Sequence, residues 1–427
     1  MRESFNSKIG AIFVAAGSAI GLGSIWRFPY IAGENGGGAF ILVYIISILV
    51  VGIPVMLAEF TVGTYTRKNP VKAYTQLSPR WRWLGYNSVL VSSLISGFYY
   101  IVAGWSLAYF VASLDGSLYA EGVDLHQFFE NFTLSWHEVL YMVLFILMTH
   151  VIVAMGVQSG LERISKIVMP VLLVILFLMV GRSAMMSGSY EGYKFLFKPD
   201  WDKVLSVDTL ISGIGQAFFS LSIGLGCMIA YSSYFKEGTR LVNTATMVSG
   251  MTFMVAVLSG MVIFPAVFSV EGLEPTAGPT LIFETLPFVF RDMPMPQLWS
   301  AIFFLLIALA ALTSTISFHE VMTQFLQENY GIKRQMAALS VSLWSLALSF
   351  VCLYLPVMFD LFDKVSADVL MPMGGLCTAI FAGWVLDKKI FYRQLATKPW
   401  LCNLIYLLLR WVCPILLMTA FVYNLID

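Results

Sequence analysis

Charged residues are scarce in this sequence of 427 residues, and neither sign is in excess. Only 12% of the residues are charged, and 25 lysines and arginines balance 25 aspartates and glutamates, so the formal net charge is +0. Soluble globular proteins are about 25% charged, so this composition excludes an ordinary soluble domain. Without net positive charge the chain has no long-range attraction for polyanions, and we expect no nucleic-acid partner.

Histidine and cysteine are equally sparse, with four and five residues. The cysteines lack the spacing of metal ligands, and no combination of nucleophile, base and acid is recognisable. The sequence therefore predicts that the protein is not an enzyme, and no segment indicates an obligatory protein partner. The first residues show no pattern of a cleavable signal peptide. The cysteines are predicted to be small, buried apolar residues: Cys227, Cys352, Cys377, Cys402 and Cys413.

Hydrophobic residues, in contrast, make up 59% of the chain, and the mean hydropathy is +0.81. Because an α-helix needs about 20 apolar residues to cross a bilayer, the long apolar runs predict an all-α polytopic membrane protein with the lipid bilayer as its partner. We expect a single domain over residues 1–427 with eleven transmembrane helices. The predicted spans are 8–30, 38–65, 85–113, 137–156, 163–187, 207–235, 240–270, 296–328, 334–355, 358–386 and 402–426.

Lysine and arginine are distributed unevenly between the loops. The loops after the second, fourth, sixth, eighth and tenth predicted spans carry them, and these loops all fall on one side. Since such residues concentrate in cytoplasmic loops, we expect a cytoplasmic N-terminus and an external Asp427. The long loops at 114–136, 188–206 and 271–295 would then lie outside, where they could form a lid.

One short pattern occurs twice. Residues 19–24 (Ala-Ile-Gly-Leu-Gly-Ser) interrupt the first span, and residues 222–227 (Ser-Ile-Gly-Leu-Gly-Cys) interrupt the sixth. Paired interruptions in two halves of a membrane protein are typical of transporters built from repeats. Each half has five spans, so the second inserts upside down, which predicts a five-plus-five inverted repeat with both helices broken at mid-membrane. The predicted repeats are 8–187 and 207–386, with 402–426 as an extra span; close helix packing is the alternative role for these glycines.

Several further motifs, in the same order, resemble the neurotransmitter:sodium symporter family and in particular its bacterial amino-acid transporters. The resemblance covers essentially the whole chain and implies sodium-driven uptake of an amino acid by alternating access, in the bacterial inner (plasma) membrane. The motifs are Arg27-Phe28-Pro29-Tyr30, Glu34 to Phe40, Gly52-Ile53-Pro54 with Glu59, Gly215 to Ser222, Ile263-Phe264-Pro265, and Ala310 to Ser314.

Two sodium sites of this family can be placed on the sequence. The second site would combine backbone oxygens of Gly17, Ile20 and Ala310 with the hydroxyls of Thr313 and Ser314, and a hard cation suits such oxygen donors. The alternative is that both hydroxyls bond back to their own helix.

The first sodium site departs from the family pattern. It would use Ala19, Ser24, Ser220 and Thr252, with hydroxyls where relatives have amide or carboxylate oxygens. The resemblance therefore implies one sodium ion and leaves a second open. Chloride also stays open, because Tyr44, Gln216 and Ser220 match part of the family's chloride site, but no acid stands at the seventh-span positions 252 and 256.

The resemblance also implies the substrate site, where freed N–H groups at helix ends would hold a carboxylate. Gly21 supplies no charge, whereas amine-transporting relatives carry an aspartate there, so we expect a small amino-acid substrate that brings its own carboxylate. An apolar lining favours a neutral, hydrophobic amino acid. The predicted substrate residues are Ala19, Gly21, Leu22, Gly23, Ile95, Tyr99, Phe219, Ser222, Leu225, Ser314 and Phe318.

Charged residues within spans are costly and are usually paired. Arg27 and Asp363 resemble the family's outer gate, above an aromatic lid of Tyr99 and Phe219. Arg2, Glu328 and Tyr234 resemble the inner gate, and a solvated surface pair is the alternative for the first two. Glu59 is expected to anchor unwound backbone, and His319 to be structural.

The sequence thus predicts a sodium-coupled symporter for a neutral amino acid. Two alternatives remain at this point: a substrate sensor or poorly coupled channel of the same fold, and proton-coupled uptake in which Asp368 of the tenth span titrates. Asp368 could equally face a wet outer vestibule. The identity of the amino acid, the ion stoichiometry and the oligomeric state do not follow from the sequence.

Overall fold

The computed structural model describes residues 3–270, 281–291 and 293–426, and within these ranges it contains helices and no strand. Among the described residues, nine helices are long and apolar enough to cross a membrane, a tenth span is a bent pair, and the sixth consists of two shorter pieces. The predicted eleven spans are therefore confirmed. They are Lys8–Ala19 with Gly23–Glu34, Gly38–Thr66, Pro79–Asp115, Trp136–Ala154, Val157–Ser183, Val207–Ser220 with Cys227–Ser232, Leu241–Val267, Pro296–Tyr330, Arg334–Tyr354, Pro356–Val385 and Pro399–Tyr423.

The first span breaks at the first hexapeptide, as predicted. The helix Lys8–Ala19 ends at Ile20, whose backbone leaves the helical region (φ −92°, ψ 77°), and the chain resumes as a helix at Gly23 with a 55° bend. A Cβ atom on Gly21 would overlap the Ser314 hydroxyl. The glycine at this position therefore lets the eighth span come directly against the break.

The sixth span breaks at the second hexapeptide, between Ser220 and Cys227. Three residues in the gap have left-handed backbone: Ser222 (φ 52°), Gly224 (φ 84°) and Gly226 (φ 75°). Such angles cost glycine little, which explains two of the three. The peptide N–H of Gly224, freed by the break, donates a 2.8 Å hydrogen bond to the Glu59 carboxylate of the second span.

The eighth span, Pro296–Tyr330, lies at the centre of the bundle, since 83% of its most apolar 18-residue stretch is buried inside the protein. Short helices join the spans at the two surfaces. On the predicted outer side, the helix Leu125–Thr133 contacts the segment Leu281–Arg291, with the Phe129 and Phe283 rings stacked at 5.9 Å. The other short helices are Pro70–Leu77, Ser189–Phe197, Trp201–Val204 and Lys388–Leu395.

Candidate functional site

A cavity of about 40 Å³ lies between the two helix breaks. Ten of the eleven predicted substrate residues line it, and the eleventh, Leu22, donates its backbone N–H to the Tyr99 hydroxyl at 3.2 Å. Their role in binding stays a prediction, but the structure brings them to one place from four spans. The lining residues are Ser18, Ala19, Gly21, Gly23, Ile95, Tyr99, Phe219, Ser222, Leu225, Cys227, Ser314, Ser317, Phe318 and Met371.

Four of these lining residues were missed by the sequence reasoning. Ser18 immediately precedes the first hexapeptide, and Cys227 is the last residue of the second. Ser317 lies three positions beyond Ser314 on the same helix face, so these three could have been found from the motifs and their neighbours. Met371 comes from the tenth span and has no motif that marks it.

Two aromatic rings separate this cavity from a larger one. Tyr99 and Phe219 line both the central cavity and a second cavity of about 520 Å³, hereafter the outer cavity, which opens towards the predicted outer side. The Tyr99 ring also packs edge-on against Phe318 at 5.2 Å. The predicted aromatic lid therefore has the position that a lid requires.

The two residues predicted to form the outer gate are not in contact as an ion pair among the described residues. Arg27 and Asp363 both line the outer cavity, but within the described part of the chain no ion pair joins them. The Arg27 guanidinium instead lies 4.5 Å from the centre of the Phe219 ring, a cation–π distance. The outer side is thus open down to the two rings.

The inner side is closed by a hydrogen-bonded network. Tyr234 donates to the Glu320 carboxylate at 2.7 Å, and Arg334 pairs with the same carboxylate at 2.5 Å. Glu320 and Arg334 were missed by the sequence reasoning, which placed Tyr234 beside Glu328. Glu328 accepts two hydrogen bonds of 2.8 Å from the backbone and side chain of Asn69.

The other predicted inner-gate residue, Arg2, lies outside the described residues. The N-terminal segment next to it is held against the inner side by Phe5, which is 1% exposed and packs edge-on against Tyr234 at 6.0 Å.

The residues predicted for the second sodium site are close together. The Thr313 hydroxyl lies 3.4 Å from the Ile20 carbonyl oxygen and 2.9 Å from that of Ala310. A Cβ on Gly17 would lie 3.2 Å from the Thr313 side chain. Ser314 follows on the same helix and lines the central cavity. The donor set of carbonyls and hydroxyls fits a hard cation, although the bond from Thr313 to Ala310 is also what the back-bonding alternative predicts.

At the first sodium site, each predicted hydroxyl is buried and has a protein partner. Ser24 donates to the Ala19 carbonyl at 3.1 Å, Ser220 is 2.7 Å from the Tyr44 hydroxyl, and Thr252 donates to Val248 of its own helix at 2.9 Å. A hydroxyl that donates its proton keeps lone pairs for a cation. These residues therefore still fit an ion, with weaker donors than carboxylates.

Two ionisable residues of unassigned role are not among the residues that line the two cavities. Asp368 is partly exposed in the tenth span and lines neither cavity. His319 is fully buried, with Nδ1 3.1 Å from the Tyr100 hydroxyl and Nε2 3.2 Å from the Ala338 carbonyl oxygen. Both ring nitrogens are engaged, which agrees with the structural role predicted for His319.

Comparison with known proteins gives a consistent assignment. A family model described as the sodium:neurotransmitter symporter family matches residues 2–130 and 122–427. A sodium-dependent transporter of Bacillus subtilis is 35% identical over 443 residues, covering 99% of this chain and 97% of that protein. One of Haemophilus influenzae is 32% identical over 455 residues, covering 99% and 98%.

A protein of known structure has a similar level of sequence identity to this chain. The crystal structure of MhsT in complex with L-phenylalanine superimposes with a TM-score of 0.92 at 36% sequence identity, covering 99% of this chain and 100% of that one. A mouse sodium-dependent neutral amino acid transporter, B(0)AT2, is 29% identical over 299 residues, covering 62% of this chain and 40% of that protein. The chain belongs to the sodium:neurotransmitter symporter family and is a multi-pass membrane transporter.

Proposed function

We propose that this protein is a sodium-coupled symporter that imports a neutral amino acid by alternating access. The observation that supports it most is the central cavity, which lies between two broken helices and beside the cluster of Thr313, Ile20 and Ala310 oxygens. Helix breaks at mid-membrane expose peptide groups that only a ligand, an ion or protein can satisfy.

The substrate carboxylate would bind at the start of the outer half of the first span. Leu22 and Gly23 supply backbone N–H groups there, at the positive end of a helix dipole, and the Tyr99 hydroxyl lies 3.2 Å from the Leu22 nitrogen. The ammonium group would face carbonyl oxygens of Ala19, Phe219 and Ser222. A Cβ on Gly21 would overlap the Ser314 hydroxyl, so an acidic side chain has no room here and the substrate must supply the negative charge.

One sodium ion would bind between the first and eighth spans, held by Gly17, Ile20, Ala310, Thr313 and Ser314. It would tie the first broken helix to the eighth span and so link ion binding to the shape of the cavity. A second ion at Ala19, Ser24, Ser220 and Thr252 would be bound more weakly, because hydroxyls are its only side-chain ligands in this chain.

The cavity walls support a neutral substrate, because the described residues that line the cavity include no charged side chain. Ile95, Leu225, Phe318 and Met371 supply apolar surface, which favours a substrate with apolar groups. The relatives include a neutral amino acid transporter, B(0)AT2, and MhsT was crystallised with L-phenylalanine.

Transport would proceed from the outward-open arrangement described here. Pairing of Arg27 with Asp363 would close the outer cavity, and separation of the Glu320–Arg334 network would open the inner side. The repeats 8–187 and 207–386 would rock against each other, with 402–426 outside them. The lysine and arginine bias supports a cytoplasmic N-terminus and an external C-terminus in a bacterial inner membrane.

Thermal stabilisation of the purified protein by neutral L-amino acids, with and without sodium, tests the proposal. A ligand stabilises by RT ln(1 + [L]/Kd), so we expect an amino-acid shift that requires sodium and is lost in Thr313→Ala. Thr315→Ala is the matched control, because Thr315 lies two residues away on the same helix and bonds to Thr149 at 2.9 Å instead. A shift without sodium, or equal loss in both variants, would contradict the sodium site. Counterflow of labelled substrate in vesicles separates a transporter from a sensor, which would show none.

A further inference from the structure

Among the described residues that line the central cavity, Ser18 carries a hydroxyl group for which no oxygen or nitrogen partner is found. Ser18 is 3% exposed and lines the cavity, and its Oγ has no hydrogen-bond partner among the described oxygen and nitrogen atoms. The thiol of Cys227 lies beside it, but a thiol is only a weak partner. A buried polar group without a partner costs free energy, so this hydroxyl is a candidate ligand group.

The other hydroxyls of the cavity are already engaged. Ser222 donates to the Ser18 carbonyl oxygen at 2.7 Å. Ser317 accepts from the Tyr231 hydroxyl at 2.7 Å and donates to the Thr313 carbonyl oxygen at 2.9 Å. Ser314 lies against the Tyr99 hydroxyl at the opposite, carboxylate end. Ser18 is therefore distinguished from its neighbours because no oxygen or nitrogen partner of its hydroxyl is found among the described atoms.

The position of Ser18 fits a contact with the substrate's side chain. It lies in the inner half of the first span, one residue before that helix ends at Ala19. Cys227 begins the inner half of the sixth span, and Ser317 lies one turn nearer than Ser314 to the inner end of the eighth. These three residues form the inner end of the cavity, away from the N–H groups of Leu22 and Gly23 that would bind the carboxylate.

We propose that the inner end of the cavity recognises a hydroxyl group on a small substrate side chain, with Ser18 Oγ as its hydrogen-bond partner. This inference rests on the proposed amino-acid symport and specifies its substrate class as serine and threonine. The apolar walls contact the methyl and methylene groups of such a substrate. The small size follows from the cavity volume of about 40 Å³, which is roughly three times what one water molecule needs.

Isosteric pairs of amino acids test the proposal. Threonine and valine differ by one hydroxyl in place of a methyl, as do serine and 2-aminobutyrate. In sodium-containing buffer, we expect the purified full-length protein to bind the hydroxylated member of each pair about fivefold more tightly, the contribution of one neutral hydrogen bond. In Ser18→Ala the preference should fall to less than about twofold.

The matched control is Ser249→Ala. Ser249 also carries a buried hydroxyl for which no hydrogen bond is found among the described atoms, but it lies in the seventh span away from the cavity. Removing it should leave the preference unchanged, so the comparison separates ligand recognition from a general effect of deleting a buried hydroxyl. Ser18→Ala breaks no hydrogen bond of that hydroxyl to a described oxygen or nitrogen, and we expect it to fold.

The outcomes separate this inference from the proposed function. Sodium-dependent binding of valine as tight as that of threonine would overturn the inference and leave symport intact, as would a preference that persists in Ser18→Ala. Tyrosine binding as tightly as threonine would overturn the small size. Absence of sodium-dependent binding for all neutral amino acids would overturn the proposed function itself.

Discussion

The outer and inner sides of this transporter differ: the outer side is open down to two aromatic rings, whereas buried polar contacts close the inner side. The outer cavity of about 520 Å³ has mostly aromatic walls, and no ion pair between its charged gate residues, Arg27 and Asp363, is found in the part of the chain that the structure describes. The inner side has buried charges with partners, including Glu320, which is 0% exposed and bound to Arg334 and Tyr234. Aromatic rings can separate without leaving a charge unpaired, whereas a buried ion pair cannot.

The N-terminal segment strengthens this asymmetry. The carboxylate of Glu162, in the fifth span, accepts hydrogen bonds from the backbone N–H groups of Asn6 at 2.6 Å and Ser7 at 3.1 Å. Lys166 pairs with the same carboxylate at 2.5 Å. Hydrogen bonds to charged groups are stronger than neutral ones, so the start of the first span is fixed at the inner surface. Inner opening therefore requires several polar contacts to break together.

The largest expected effect comes from breaking the inner ion pair. Arg334→Gln leaves the buried Glu320 carboxylate without its cation, which costs about 3–5 kcal/mol in the inner-closed state. We expect a lower thermal midpoint and faster modification of Cys227, which is 1% exposed in the central cavity, by a thiol reagent applied from the inner side. Mass spectrometry after labelling measures this.

The control is the double variant Glu320→Gln with Arg334→Gln, in which neither charge remains buried. It should recover much of the lost stability and protection, since amide side chains can hydrogen-bond to each other. If the single and double variants behave alike, the ion pair does not hold the inner side closed.

A smaller effect is expected at the outer gate. Asp363→Asn should reduce transport about tenfold, which corresponds to about 1.4 kcal/mol, because the closed state loses its ion pair. Sodium-dependent binding to the outward-open state should persist, since the pair is absent there. Asp360→Asn is the control, because Asp360 lines the same outer cavity and should retain transport within about twofold. Equal losses in both variants would contradict the assignment of Asp363 to the gate.

The smallest effect concerns a pH-dependent contact above the outer cavity. His126, on the helix Leu125–Thr133, lies 3.0 Å from Glu284 and 3.5 Å from Glu130. Its hydrogen bond to Glu284 raises the pKa of His126, helped by the charges of Glu284, Glu130 and Asp124. Arg291 lines a surface pocket together with His126 and Glu284. A raised pKa means that the protonated contact is complete below the ordinary histidine pKa and is lost as the pH rises through the raised value.

We therefore expect residues 281–291 to exchange their amide hydrogens slightly faster above that pKa, after correction for the intrinsic effect of pH. Hydrogen-exchange mass spectrometry measures this, with His126→Gln as the reference. The change should be small because the His126 side chain is 65% exposed, and water and salt weaken ion pairs between exposed groups. The same pH dependence in His126→Gln would show that another group is responsible.

The sequence predicted the parts of this structure that depend on local chemistry. Glycine pairs in two apolar runs predicted both helix breaks. The family resemblance predicted eleven substrate residues, and ten of them line one cavity. The Glu320–Arg334 pair could not be predicted in this way. The two residues lie 14 positions apart on consecutive helices, and whether their side chains meet depends on how those helices pack. Met371 was missed because only the packing of the tenth span against the other spans brings it to the cavity. The separation of Arg27 from Asp363 depends on the conformational state, which no motif encodes.

The carboxylate of Glu59 has a consequence for affinity. It binds the Gly224 N–H at 2.8 Å from within the protein, so the gap in the sixth helix is already formed before any solute arrives. The binding site is preorganised, and a substrate does not spend interaction energy on melting a helical turn. Replacing this carboxylate by a group that cannot accept that bond would let the empty transporter rewind the turn, and affinity would fall although no ligand contact had been altered.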